Sequence, residues 1–180
     1  MLGFDRSRRL SGALAGIALL VLTAGAVTAG GATHASATIR DGSGAPIGWA
    51  KLTEDGTGRL HLNVHVAGLT PGLHGIHLHA VGQCDGPAFG SALGHHNPLG
   101  GVPQHGLENP LGSHAGDLPN LIVNQNGRGH LDATSDRATL VSLLEGDGSA
   151  IVIHAYVDDQ RTNPIGNSGA RVACGVLVAN

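Results

Sequence analysis

His77 and His79 stand two residues apart in Gly75-Ile76-His77-Leu78-His79-Ala80, a segment with strand-like alternation, so both imidazoles leave one face and can converge on one ion. Two alternating histidines are ordinarily just a polar sheet face, and that is how His61 and His65 read in Leu60-His61-Leu62-Asn63-Val64-His65-Val66. Company sets the first pair apart. His95, His105, His114 and Asp117 offer three nitrogens and an oxygen, a full tetrahedral set for Zn²⁺, with His114 and Asp117 across one turn. His154 closes Ala150-Ile151-Val152-Ile153-His154, where the aliphatic neighbours imply burial, and a buried imidazole needs a partner. Twelve His against ten Lys plus Arg is the oddest ratio in the composition, and it points to metal or proton chemistry.

Short strands must position these residues. The chain has 180 residues, 41% hydrophobic, 13% charged and 2% aromatic, with thirty Gly and eight Pro, which excludes coiled coils and helix bundles. The glycines lack a three-residue period, so collagen is excluded too, and enough Val, Ile and Leu remain to fill a core. Alternation between turn signals predicts strands at 47–53, 60–66, 75–80, 118–124, 129–134, 138–143, 149–156 and 171–178. The expected fold is all-β, an eight-stranded Greek-key barrel or sandwich with one disulfide and a long metal-binding loop. That loop, 82–117, is rich in Gly, Pro, Asn and His and has no period. A loop so long needs ties, and Cys84, His95, His105, His114 and Asp117 are spread along it.

Residues 1–37 read as a secretory signal: Arg6, Arg8 and Arg9, an apolar run to about Val27, then small residues ending in Ala35-Ser36-Ala37, with cleavage expected after Ala37. Residues 38–180 would form one exported, extracytoplasmic domain, with no membrane contact once the signal is cut. That part holds seven Lys plus Arg against twelve Asp plus Glu, a formal −5 with no basic tract, so nucleic-acid and anionic-membrane partners are not expected. Outside the cytosol, Cys84 and Cys174 read as one disulfide closing about ninety residues, worth roughly 4 to 5 kcal/mol by chain entropy.

Taken in order, Gly75-Ile76-His77-Leu78-His79, Gly94-His95-His96-Asn97-Pro98, His105-Gly106, His114-Ala115-Gly116-Asp117-Leu118, Val152-Ile153-His154 with Asp158-Asp159, and Gly166-Asn167-Ser168-Gly169-Ala170-Arg171-Val172-Ala173-Cys174 resemble the copper/zinc superoxide dismutases of the exported bacterial kind. The resemblance covers about 45–178. It implies copper on His77, His79, His95 and His154, and zinc on His95, His105, His114 and Asp117, with His95 bridging as an imidazolate. It further implies Asp158 as the carboxylate joining His77 to His105, and Arg171 as the positive charge that draws in superoxide. The reaction implied is disproportionation of superoxide to O₂ and H₂O₂, in which His95 takes and returns a proton.

The sequence departs from that pattern in places. His96 replaces an aromatic residue beside the bridging position and reads as packing or solvent-facing; Ile165 stands where a Thr often lines the channel. The segment 158–166 is short, with Arg161 its only basic residue, so steering is expected to be weaker. Insertions between Cys84 and His95 and between Pro98 and His105 change loop length without removing a ligand. The rival readings are a copper-only dismutase and a non-catalytic copper or zinc carrier on the same scaffold. A homodimer stays open, with Trp49 as a candidate contact.

Overall fold

A computed structural model of the chain describes residues 32–98 and 104–180. Most of the expected signal (1–31), and part of the insertion read between Pro98 and His105, lie outside the described residues. The strands are β1 (His34–Asp41), β2 (Pro46–Glu54), β3 (Leu60–Ala67), β4 (Gly72–His74), β5 (Ile76–His79), β6 (Leu121–Val123), β7 (Arg128–Ser135), β8 (Ala150–His154), β9 (Arg171–Val176) and β10 (Val178–Ala179), with a helix α1 (Leu140–Leu144) between β7 and β8. All pairings are antiparallel, in the order β4-β6-β7-β3-β2-β1-β9-β8-β5 with β10 on β1. β4 and β5 lie at opposite ends of that order yet are joined through Gly75 alone, so the sheet must curl until its two edges nearly meet. The result is a nearly closed barrel with Greek-key crossovers at β1–β9 and β3–β7.

The period-2 pattern drives this closure. In β3, Leu60, Leu62, Val64 and Val66 point inward while His61 and His65 face out. Ile39, Leu52, Leu121, Ile151 and Ile153 meet them in one aliphatic core. A smaller cluster of Phe89, Ala92, Ala150, Val152 and Cys174 lies against Cys84, where the Cys84–Cys174 disulfide joins the loop to β9 across Cα atoms 5.7 Å apart.

The strand list needs correction. There are ten strands among the described residues, not eight, and the segment expected as a strand at 138–143 holds α1 instead. Thr139 caps that helix, its Oγ1 accepting from the Ser142 amide while Ser142 Oγ accepts from the Thr139 amide, and Leu140 and Leu143 bury one face. A capped i, i+3 pair decides for the helix where alternation alone suggests a strand. The stretch at 171–178 breaks at Leu177 into β9 and β10. β1 and β4 are additions to the expected strands; the first half of β1 reads as part of the signal. In the structure the expected boundary at Ala37 falls inside β1: Ala35 and Ala37 are buried and pair with Leu52 and Ala50.

Candidate metal centre

β5 runs along the barrel edge with all four residues buried: Ile76 and Leu78 lie in the aliphatic core, and His77 and His79 point to the opposite side. The long loop covers that side by borrowing the free backbone of β5. Leu78 donates to the Gly116 carbonyl at 2.9 Å, His96 donates to the Leu78 carbonyl at 2.8 Å, and Gly116 donates to the His96 carbonyl at 2.9 Å. Gly116 is required at this approach, since a Cβ there would lie 2.1 Å from the Leu78 oxygen. These bonds bring Asp117 opposite His77 and His95 opposite His79. On the other flank β8 pairs with β5, and a register shift after Ile153 re-aims His154.

Two groups of donors result, His77 with His79, His95 and His154, and His77 with His95, His105 and Asp117, all buried and each with ligand atoms mutually within 4.8 Å. In the first group every ring has one nitrogen held and one left over. His77 Nε2 bonds Asp158 at 2.6 Å, His79 Nδ1 donates to the Leu93 carbonyl at 2.9 Å, His95 Nδ1 bonds Asp117 at 2.7 Å, and His154 Nδ1 donates to the Gly169 carbonyl at 3.1 Å. The other four nitrogens, His77 Nδ1 and the Nε2 atoms of His79, His95 and His154, are buried without a hydrogen-bond partner. Four orphaned acceptors would cost about 1 to 3 kcal/mol apiece, and one cation with imidazole ligands satisfies them together.

The second group centres on Asp117. Its Oδ1 lies 2.7 Å from His95 Nδ1, 3.1 Å from His105 Nδ1 and 3.3 Å from His114 Nδ1, while Oδ2 accepts from the Gly106 and His114 amides. Donors around a tetrahedral Zn²⁺ with bonds of about 2.0 to 2.1 Å stand about 3.3 Å apart; the three nitrogens lie near that distance from Asp117 Oδ1, and His114 stands beside the close group, which takes in His77 in its place. His114 sits at the rim, its side chain 15% exposed, whereas those of His105 and Asp117 are wholly buried. The His77 and His95 rings belong to both groups, and His95 turns Nδ1 toward Asp117 and Nε2 toward the unpaired histidine nitrogens.

Asp158 ties the groups together. Its carboxylate accepts from His77 Nε2 at 2.6 Å and from His105 Nε2 at 2.9 Å, and it is itself placed by Asn120, which bonds both its amide and its carbonyl at 2.8 Å. Gly166, at φ 61°, packs so close that a Cβ would fall on Asp158 Oδ1. Sequence reasoning misses Asn120 because a single Asn in a turn-rich stretch carries no periodicity. Arg171 stands where β9 begins and donates to the carbonyls of Phe89 and Leu93, the latter shared with His79. Phe89 and Leu93 both have positive φ, 54° and 58°, a strain of order 1 to 3 kcal/mol each that aims their carbonyls at Arg171 and His79. Backbone acceptors of this kind leave no mark in a sequence. His96 is buried, bonded through Nε2 to Ser142 Oγ on α1, and stands outside both groups.

Burial sets the electrostatics. It pushes His77, His79 and His154 down to about 3, 2 and 4, with nearby His95 adding to the effect in each, so these rings stay neutral as ligation requires. Arg171 lowers His79 and His154 further, which places its charge within reach of the first group. For His105 burial works the other way from the outcome: hydrogen bonds to Asp117 and Asp158 outweigh it and raise the ring to about 9. Burial likewise opposes ionisation of Asp117 and Asp158, yet their histidine partners hold both well below the usual carboxylate range.

Residues 47–177 match the model of the copper/zinc superoxide dismutase (SODC) family. The chain is 42% identical over 149 residues to a superoxide dismutase [Cu-Zn] of Caulobacter vibrioides, covering 79% of this chain and 84% of that one. A superoxide dismutase [Cu-Zn] 2 of Aquifex aeolicus is 38% identical over 176 residues, covering 94% and 99%. The superoxide dismutase-like protein YojM of Bacillus subtilis is 40% identical over 143 residues, covering 76% and 72%. Among solved structures, a double mutant of a SOD-like protein from Bacillus subtilis, in which a Tyr and a Pro are replaced by His, superposes with a TM-score of 0.75 at 39% identity, covering 80% of this chain and 97% of that one. With a family model matched over most of its length and a barrel of the same kind, the chain belongs to the copper/zinc superoxide dismutases, enzymes whose cofactors are copper and zinc.

Proposed function

We propose that this chain disproportionates superoxide at a copper held by His77, His79, His95 and His154, beside a zinc held by His95, His105, His114 and Asp117, and that it does so outside the cytoplasm. The observation that carries the reading is the set of four buried, unpaired imidazole nitrogens, each on a ring whose other nitrogen is already bonded. When bound, copper supplies the one-electron couple that oxidises one superoxide to O₂ and reduces the next to H₂O₂, while zinc supplies charge and shape without redox chemistry.

The chain's own groups do the rest. Arg171, pinned by two backbone carbonyls, is a fixed positive charge beside the copper ligands, and it draws the substrate anion into a protein that is acidic as a whole. His95 would take and return a proton at Nε2 while its Nδ1 side stays anchored in the group around Asp117, so the ring can return to the same position. Asp158 keeps the Nε2 protons of His77 and His105 in place, which leaves Nδ1 of both rings free as ligands. A completed zinc set speaks against a copper-only variant. The carrier reading is favoured only by the name of the YojM relative, which stops at "superoxide dismutase-like".

Superoxide consumption by the Cu,Zn-loaded protein, compared with His154→Ala, tests the proposal. Rapid consumption that falls to the background of free copper in the variant is expected. Metal uptake at both groups with no consumption by the unaltered protein would overturn it and leave the carrier.

A further inference from the structure

The outer face of the barrel carries a second set of nitrogen donors that the reaction does not use. Trp49 on β2, His65 on β3, His130 on β7 and Ile122 on β6 are register partners in turn, so they form one exposed row across four strands. The His65 and His130 rings stand 4.3 Å apart between centroids, and Trp49 lies 4.5 Å from His65. Inside the metal centre, the four rings with unpaired nitrogens stand between 4.0 Å (His77 and His95) and 6.5 Å (His95 and His154) apart. The separation of the surface pair falls within that range.

The outer pair also has the orienting carboxylate. His130 Nε2 bonds Asp132 at 2.7 Å, the arrangement His77 Nε2 makes with Asp158 at 2.6 Å, and Asn63 Nδ2 donates to the same Asp132. That bond keeps the proton on Nε2 of His130 and leaves Nδ1 with its lone pair. The His65 ring packs against Trp49 and His130, and among the described residues its nitrogens make no hydrogen bond that would compete.

We infer that His65 and His130 form an accessory surface site for one divalent copper ion per chain, oriented by Asp132 and walled on one side by Trp49. Copper is the favoured occupant because a pair of imidazole nitrogens prefers Cu²⁺ over other first-row divalent ions. With two protein ligands and the remaining positions open to water, the site exchanges its ion readily, unlike the enclosed centre. Nothing in the catalytic assignment depends on it.

The chain has a single Trp, so Trp49 is its own reporter: Cu²⁺ bound beside it quenches its emission. Protein loaded with copper and zinc, freed of excess metal and kept in a non-coordinating buffer, is titrated with Cu²⁺ and followed by Trp fluorescence and metal stoichiometry. Saturable loss of emission at one added copper per chain is expected, with tenfold or more copper needed for the same loss in His65→Gln and in His130→Gln. Asp132→Asn should weaken binding by a smaller factor, because it removes orientation and not a ligand. Quenching that is unsaturable in the unaltered protein, unchanged in both Gln variants, or saturated at one copper per two chains would overturn the assignment.

Discussion

Asp158→Asn is the substitution most diagnostic of how the two metal groups are coupled. It keeps the size of a buried side chain and removes one negative charge, but the tautomers decide its effect. Asp158 Oδ1 accepts from the Gln160 amide at 2.6 Å and lies 3.0 Å from His105 Nε2; Oδ2 lies 2.6 Å from His77 Nε2. An Asn must put its oxygen where the Gln160 amide donates, so His105 keeps an acceptor and His77 meets an NH₂ group. His77 can then make a hydrogen bond only by moving its proton to Nδ1, the nitrogen left free for copper. Loss of an orienting partner behind a ligand costs about 10- to 100-fold in metal affinity. Copper should fall near the upper end, about 100-fold or about 2.7 kcal/mol, and zinc near the lower, about tenfold or about 1.4 kcal/mol. Competition against chelators of graded strength, run separately for each metal, measures both. Asp159→Asn is the control, since the exposed Asp159 bonds only Arg161, Thr162 and Asn167 through its side chain among the described residues and should leave both affinities alone. Zinc weakened with copper untouched, or both unchanged within about a factor of two, would refute the tautomer argument.

Arg171→Gln should cut superoxide consumption by about tenfold or more at unchanged copper and zinc content and flatten its dependence on ionic strength, since the field that raises association is lost; stopped-flow rates across a salt series read this. The metal-free protein should be acid-labile. His77, His79 and His154 are held below 6.5 chiefly by burial, so their contribution is complete above that pH and is lost as pH falls, about 2 kcal/mol each by pH 5 and together on the scale of a whole domain's stability. His105, raised to about 9, has the opposite sign and costs stability as pH climbs from 6.5 through 9. Thermal melts of metal-free and loaded protein from pH 5 to 9 check both limbs, and a flat metal-free profile between 5 and 7 would contradict them. If the chain is exported as proposed, mass spectrometry of the exported form should place the new N-terminus at or before His34, because a cut after Ala37 removes half of β1 along with buried Ala35 and Ala37.

The division between what is legible in the chain and what is not follows the range of each physical signal. Alternation in β3 is local, so Leu60, Leu62, Val64 and Val66 declare an inward face from their spacing alone. The paired positions of His77 and His79 likewise set their common side through the pleat. Residues 138–143 mislead because a helix cap made by Thr139 and Ser142 competes with a short alternating pattern, and only docking of Leu140 and Leu143 on the barrel decides between them. Near Ala37 small residues suit a cleavage site and a tightly packed strand equally well, and the fold adds only that Ala35 and Ala37 are buried in β1.

By itself, the sequence determined the donor types, the all-β character and the two cysteines, since each is a property of composition or near neighbours. Tertiary structure alone decided that His95, reached by a loop hydrogen-bonded along β5, turns one nitrogen to Asp117 and the other to three distant imidazoles, and that carbonyls of Phe89 and Leu93 fix Arg171 beside them. Those relations join residues tens of positions apart, and the loop bonds and the Arg171 contacts run through backbone atoms, which are the same at every position of a chain until a fold gives them direction.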